Sequence, residues 1–258
     1  MYKPYYVIEY SASSCLLDIK VNDVSVKHTN LKGYTSNVIP VNLVIPESGR
    51  QQVSYNILPL LGETALREDA TFSASVCLYD AGGDVIQKQD EINTFTMPEN
   101  TTKIPLPVYK GERVFYADVP YKLDAWQNSQ DLSKIEKLRV LVDSAYRKIE
   151  EIISNSQYNL YAEMVQKRED NIATCFYLSE EEKKERLTEL IELFESGFKI
   201  VPVSEKDFMF IYGYNKLVSL KKQDGSSALL LKNANTGQKL TLDIKLHLEQ
   251  GSKELTII

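Results

Sequence analysis

Histidine and cysteine are the scarcest chemistry-bearing residues here, with two and three copies in 258 residues. His28 and His247 have no cysteine or second histidine at metal-ligand spacing, so the sequence offers no zinc site of the familiar pattern. Cys15, Cys77 and Cys175 are odd in number and far apart. They read as free, core-seeking thiols of a reducing compartment rather than a disulfide framework. No apolar run approaches the length needed to cross a bilayer. The opening MYKPYYVIEYSASSCLL is broken by Pro4, Glu9 and its serines, so no secretory signal is expected. A nucleophile elbow, a P-loop and a dinucleotide-binding glycine pattern are all missing. The expectation is a cytoplasmic protein with no metal, no cofactor and no catalytic residue to name.

What is present is a folded-domain composition. Hydrophobic residues make up 43% and charged residues 26%, enough to bury a core without metals or disulfides. A net charge of -6 and the lack of cation-aromatic interleaving argue against nucleic acid as a partner.

Residues 1–125 read as an antiparallel β-sandwich. Short aromatic and β-branched runs alternate with turn chemistry at Glu47-Ser48-Gly49, Pro59 to Gly62, Ala81 to Asp84, Pro98-Glu99-Asn100 and Lys110-Gly111. The prolines at 105 and 107 belong on an edge strand or outside the sheet. In DIKVNDVSVKH, Asn22-Asp23 is a two-residue turn, because both residue types tolerate positive φ. That register sets Val21 against Val24, Ile19 against Val26 and Leu17 against His28. On the other face it sets Lys20 against Ser25 and Asp18 against Lys27.

A boundary falls at the polar stretch DAWQNSQ, and residues 126–258 read as three helices followed by a β-meander, an α+β arrangement overall. Ile135, Leu138, Val142, Ala145, Ile149 and Ile152 form an apolar stripe on a helix from about Asp131 to Ser154. A second helix covers about Gln157 to Phe176, with Tyr161, Val165, Arg168 and Ile172 on one side. Ser179 and Glu182 form a capping box for the third, which ends at Gly197. Asp224-Gly225 predicts a two-residue hairpin with Leu220 against Leu229 and Val218 against Leu231. LTLDIKLHL alternates strictly and puts His247 on its wet face, while the leucines face the helices.

The charged and polar motifs read mainly as structure. DAGGD, Asp80 to Asp84, has two carboxylates that could hold a cation, but it lacks the alternating ligands and closing Glu of an EF-hand and fits a glycine turn. QKREDN and SEEEKKERL read as solvated helix faces, and YGYNK as a hairpin turn. Sixteen tyrosines are left as the chain's main excess. Tyrosine suits both half-buried strands and binding surfaces. The candidate binding surface is Tyr109, Tyr116, Tyr121 and Trp126.

DIKVNDVSV followed by VIPVNLVIPESGRQQVSYNILP resembles jelly-roll sandwiches of the galactose-binding-like type over about forty of 258 residues. Asp23 stands where that pattern has Gly, and no ligand residue carries over. The resemblance implies the sandwich fold and raises carbohydrate binding as one alternative. The arrangement of a sandwich followed by an acidic helical and β unit also resembles immunity proteins paired with bacterial type VI toxins. The functional expectation is a non-enzymatic protein-interaction module of the bacterial cytosol, an immunity protein or effector adaptor with a protein partner. A hydrolase using dispersed carboxylates is the remaining alternative.

Overall fold

The computed structural model describes residues 2–98, 107–223 and 225–258, and the chain divides into two units, Met1–Lys122 and Leu123–Ile258. Pro105 and the end of the Pro98-Glu99-Asn100 turn lie outside the described residues.

Alternation builds the first unit. Strand β1 (Pro4–Ser13) turns Tyr6, Ile8, Tyr10 and Ala12 inward, and β5 (Gly49–Leu58) does the same with Gln51, Val53, Tyr55 and Ile57. The other strands are β2 (Cys15–Val21), β3 (Val24–Leu31), β4 (Thr35–Pro40), β6 (Thr71–Asp80), β7 (Gln87–Thr96) and β8 (Tyr109–Ala117). They form two four-stranded antiparallel sheets, ordered β4-β1-β6-β7 and β3-β2-β5-β8. This is a β-sandwich, as the strand spacing implied. Its interior includes the rings of Tyr55, Phe72 and Phe95, with centroids 5.0–5.9 Å apart. Cys15 is free and buried there; Cys77 is free and buried on the outer side of its sheet, and Cys175 is free and buried in the second unit.

Three details depart from the sequence reading. Asn22 and Asp23 do take positive φ, 49° and 60°, and Val21 and Lys20 do face Val24 and Ser25. A β-bulge follows, so Ile19 then faces Lys27, Asp18 faces His28 and Leu17 faces Thr29. Asp18 accepts a 2.8 Å hydrogen bond from Ser25 and lies 3.8 Å from His28 Nδ1, instead of pairing with Lys27. Secondly, the apolar run SNVIPVNLVI, which reads as one strand, is strand only to Pro40, and Asn42–Val44 is a single 3-10 turn. Buried Asn42 accepts from Tyr6 N at 2.7 Å and donates to Pro4 O at 3.0 Å, so it pins the start of β1. Thirdly, Gly111 is no turn residue. It sits inside β8, opposite Tyr55, under the Phe95 ring.

The second unit opens with two 3-10 turns, Trp126–Asn128 and Leu132–Lys134, so the first helix is shorter than its apolar stripe suggested. Helix α1 (Leu138–Ser154) presents Leu138, Val142, Tyr146 and Ile149, α2 (Tyr158–Phe176) presents Tyr161 and Val165, and α3 (Glu180–Glu195) presents Phe194. The capping box at Ser179 is formed, and Gly197 takes φ 97° just past the helix. QKREDN is not wholly solvated. Glu169 and Asn171 are buried, and Glu169 pairs with Arg168 at 2.6 Å and with Arg186 of α3 at 3.5 Å.

Two small sheets replace the expected single meander. One runs β10 (Phe208–Tyr212), β11 (Leu217–Lys221), β14 (Leu246–His247), β15 (Thr256–Ile257). The other runs β13 (Lys239–Thr241), β12 (Leu230–Asn233), β9 (Phe198–Val201). The tight reversal after β11 pairs Lys221 with Ser227, one residue from the expected register, and Ala228 rather than Leu229 bonds back to Leu220. Asp224 itself lies outside the described residues. Leu229, Leu230 and Leu231 are all buried, a run without alternation, and the chain crosses there into the other sheet. LTLDIKLHL likewise starts in one sheet and ends in the other. Its leucines and Ile244 still pack on the helical core. The Tyr146 hydroxyl ties α1 to this layer by accepting Leu220 N at 2.9 Å.

Candidate functional site

Strand β8 sorts its residues by face. Phe115 and Ala117 point into the sandwich, while Val114 and Tyr116 point out, beside Gln52 and Arg50 of β5. Tyr116 is 73% exposed and Val114 is partly exposed. The other three candidate residues sit differently. Tyr109 is half-buried, with its ring 6.1 Å from Phe95 in the sandwich aromatic cluster. Tyr121 donates its hydroxyl to Asn42 O at 3.2 Å. Trp126 belongs to the second unit and is buried, with Cδ1 3.3 Å from where a Cβ on Gly213 would stand. Tyr116 alone of the four is exposed. A period-2 reading of β8 from Phe115 would have singled it out.

A second cluster, unmarked by any local pattern of residues, lies on the outer face of the β4-β1-β6-β7 sheet. Glu9 (β1), Cys77 (β6) and Glu91 (β7) bring two carboxylate oxygens and a thiol within 4.8 Å of one another. Register shifts at Val76/Cys77 and Leu78/Tyr79 help to gather them. The Lys88 ammonium stands among them, 2.9 Å from Glu9 and 3.4 Å from Glu91, and already supplies a cation to both carboxylates. Tyr79 donates to Glu9, and that bond, with help from Lys88, holds the Glu9 carboxyl below its usual range. Burial pushes the Cys77 thiol up, which keeps it protonated and unreactive at neutral pH. The group works as a cross-strand electrostatic tie.

His247 overturns its expected place on a wet face. It is 1% exposed, because the segment before α1 covers that side of β14: Gln130 N bonds to Leu248 O and Leu132 N to Asn215 O, both at 2.8 Å. Nδ1 meets Ser129 Oγ at 2.7 Å. Nε2 is buried and, among the described residues, has no hydrogen-bond partner; Glu249 lies 3.7 Å away. Lys167 bridges Glu249 at 2.8 Å and Asp124 at 2.7 Å. Ser129 and His247 have the residue types of a nucleophile and base, but both are buried. Burial, and then the Lys167 charge, lower the imidazole pKa to about 4 from 6.5.

The folded chain therefore refuses a proton that the unfolded chain accepts. This contribution to stability is complete above about pH 6.5, falls as pH drops towards 4, and is flat below that. Its depth is about 3 kcal/mol. Urea unfolding at pH 7 and at about pH 4.5 should show this loss in the wild type and a much smaller one in His247→Asn. Equal pH slopes in the two proteins would refute it.

The remaining motifs are accounted for internally. Asp80 accepts from Lys3 N at 2.9 Å and Gly82 N at 2.8 Å, so DAGGD is a turn closed by its own carboxylate. His28 is exposed on β3 beside Asp18. YGYNK forms the β10–β11 hairpin turn. No helix among the described residues is long and apolar enough to cross a membrane. Comparison with protein-family models, with curated proteins and with solved structures found no match.

Proposed function

We propose that the protein is a non-enzymatic protein-interaction module whose partner docks on the outer face of the β3-β2-β5-β8 sheet. Its biological setting would be the bacterial cytosol, where it neutralises a toxin or carries a secreted effector. The observation that carries this reading is Tyr116, 73% exposed on a rigid strand with Arg50 directly opposite. Tyrosine and arginine are the residue types that most often dominate interface energies, and a ring held by a sheet loses little freedom when it is covered. Val114 and Gln52 extend the patch by one cross-strand pair.

Affinity capture from the native cell tests the proposal. Wild type should recover a stoichiometric protein partner, and Tyr116→Ala should weaken capture by about 2 kcal/mol, some thirtyfold. Recovery of no stoichiometric protein, or equal recovery by the variant, would sink it. Carbohydrate binding is the second reading, because the Tyr116 ring is flanked by the planar polar side chains of Arg50 and Gln52. Glycan-array binding that is lost in Tyr116→Ala and kept in Tyr116→Phe would favour it over a protein partner.

A further inference from the structure

Edge strands in this protein are blunted against pairing, with one exception among the described residues. β3 carries Lys27 and a bulge, and β4 ends in Pro40. β7 carries Lys88, Asp90 and Glu91, and β8 carries Lys110, Glu112 and Arg113. β9 has Lys199, β13 has Lys239, and β15 is two residues long. Charge, proline, bulges and shortness are the usual devices that keep a sheet edge from recruiting another strand. β10, Phe-Met-Phe-Ile-Tyr, stands at the edge of its sheet with none of them. Phe208 and Phe210 are 52% and 49% exposed, and Ile211 is exposed too.

We propose that β10 pairs antiparallel with β10 of a second copy of this chain, about a two-fold axis through Phe210. The strand is complementary to itself in that register. Phe210 meets Phe210, and Phe208 meets the edge of Tyr212, whose hydroxyl is buried toward Ser219, so the exposed contact is made by the phenylalanines. Met209 meets Ile211 on the other face, where Met209 already packs against the helical core. Beyond the strand, Asp207 meets Gly213 and Lys206 meets Tyr214, so no like charges oppose. A two-fold interface requires this kind of self-complementarity. The pairing would join two four-stranded sheets into one, satisfy the open main-chain edge and cover the phenylalanines. It lies in the second unit, separate from Tyr116 in the first.

Sedimentation velocity of the full chain, over roughly a hundredfold concentration range in the micromolar regime, tests this. Wild type should pass from monomer to dimer, and Phe210→Lys should weaken association by about tenfold or more. A melting curve at low concentration checks that the variant is folded. Cross-linking gives a second measurement, because directly opposed residues in an antiparallel pair lie about 4.5 or 5.5 Å apart, within disulfide reach. Phe210→Cys should therefore form a disulfide dimer about tenfold faster than Val140→Cys on exposed α1. The three native cysteines are buried and should not compete. A wild type that stays monomeric at the top of the range, an undiminished Phe210→Lys dimer, or equal cross-linking of the two cysteine variants would each overturn the proposal. So would capture of a foreign strand, lost in Phe210→Lys, by a chain that alone stays monomeric.

Discussion

Gly111→Ala is expected to destabilise the sandwich by about 3 kcal/mol, the upper end of ordinary overpacking. A Cβ at this position would stand 2.2 Å and 2.4 Å from Phe95 Cε2 and Cζ. Gly111 does not have positive φ, so the constraint is space and not backbone conformation. The ring cannot easily give way. It lies 5.0 Å from Tyr55 and 5.9 Å from Phe72, with the Arg113 guanidinium 5.2 Å over its face. Urea unfolding followed by circular dichroism measures the loss. Adding Phe95→Leu to Gly111→Ala should cost less than the sum of the two single changes, since the smaller side chain leaves room for the methyl. A single variant within about 0.5 kcal/mol of wild type would show that β8 can shift away from Phe95.

Asn22→Ala should cost about as much, roughly 3–4 kcal/mol, for a different reason. The Asn22 amide donates to Val44 O at 2.7 Å and to Gln51 Oε1 at 2.6 Å, and its oxygen accepts from Gln52 N at 3.1 Å. Alanine leaves these three partners without that side chain, at about 1 kcal/mol or more each, in a buried place. It also puts a residue with no local hydrogen bond at φ 49°. Asn22→Gly relieves only the backbone part, so it should recover about 1 kcal/mol and no more. If Asn22→Gly matched wild type in urea unfolding, the hydrogen bonds would be shown to contribute nothing. The tight turn was legible in Asn22-Asp23. That the same asparagine is also a bolt between the hairpin, the turn at Val44 and β5 was not, because its partners lie 22 to 30 residues away.

Position in an alternating run proved a sound guide to burial wherever one sheet face meets the core. Tyr6, Ile8 and Tyr10, or Leu242, Ile244 and Leu246, are buried as their spacing implies. It was a poor guide wherever a second layer covers the supposed outer face. His247 is the clear case, since the residues that bury it stand more than a hundred positions earlier. Glu169 is another, kept inside by arginines on its own helix and the next.

The sequence by itself determined the class of fold, the start and end of α3, the Asn22-Asp23 turn and the burial of all three cysteines. These follow from local rules: backbone sterics, capping, and periods of 2 and 3.6. Only the tertiary structure decided the bulge after Ser25, the role of Gly111, the split of the last strands into two sheets and the Lys88 cluster. It also decided which of four aromatic candidates faces outward. Each of these depends on groups distant in the chain arriving at one place, and the local pattern of residues carries no record of what lies across the fold.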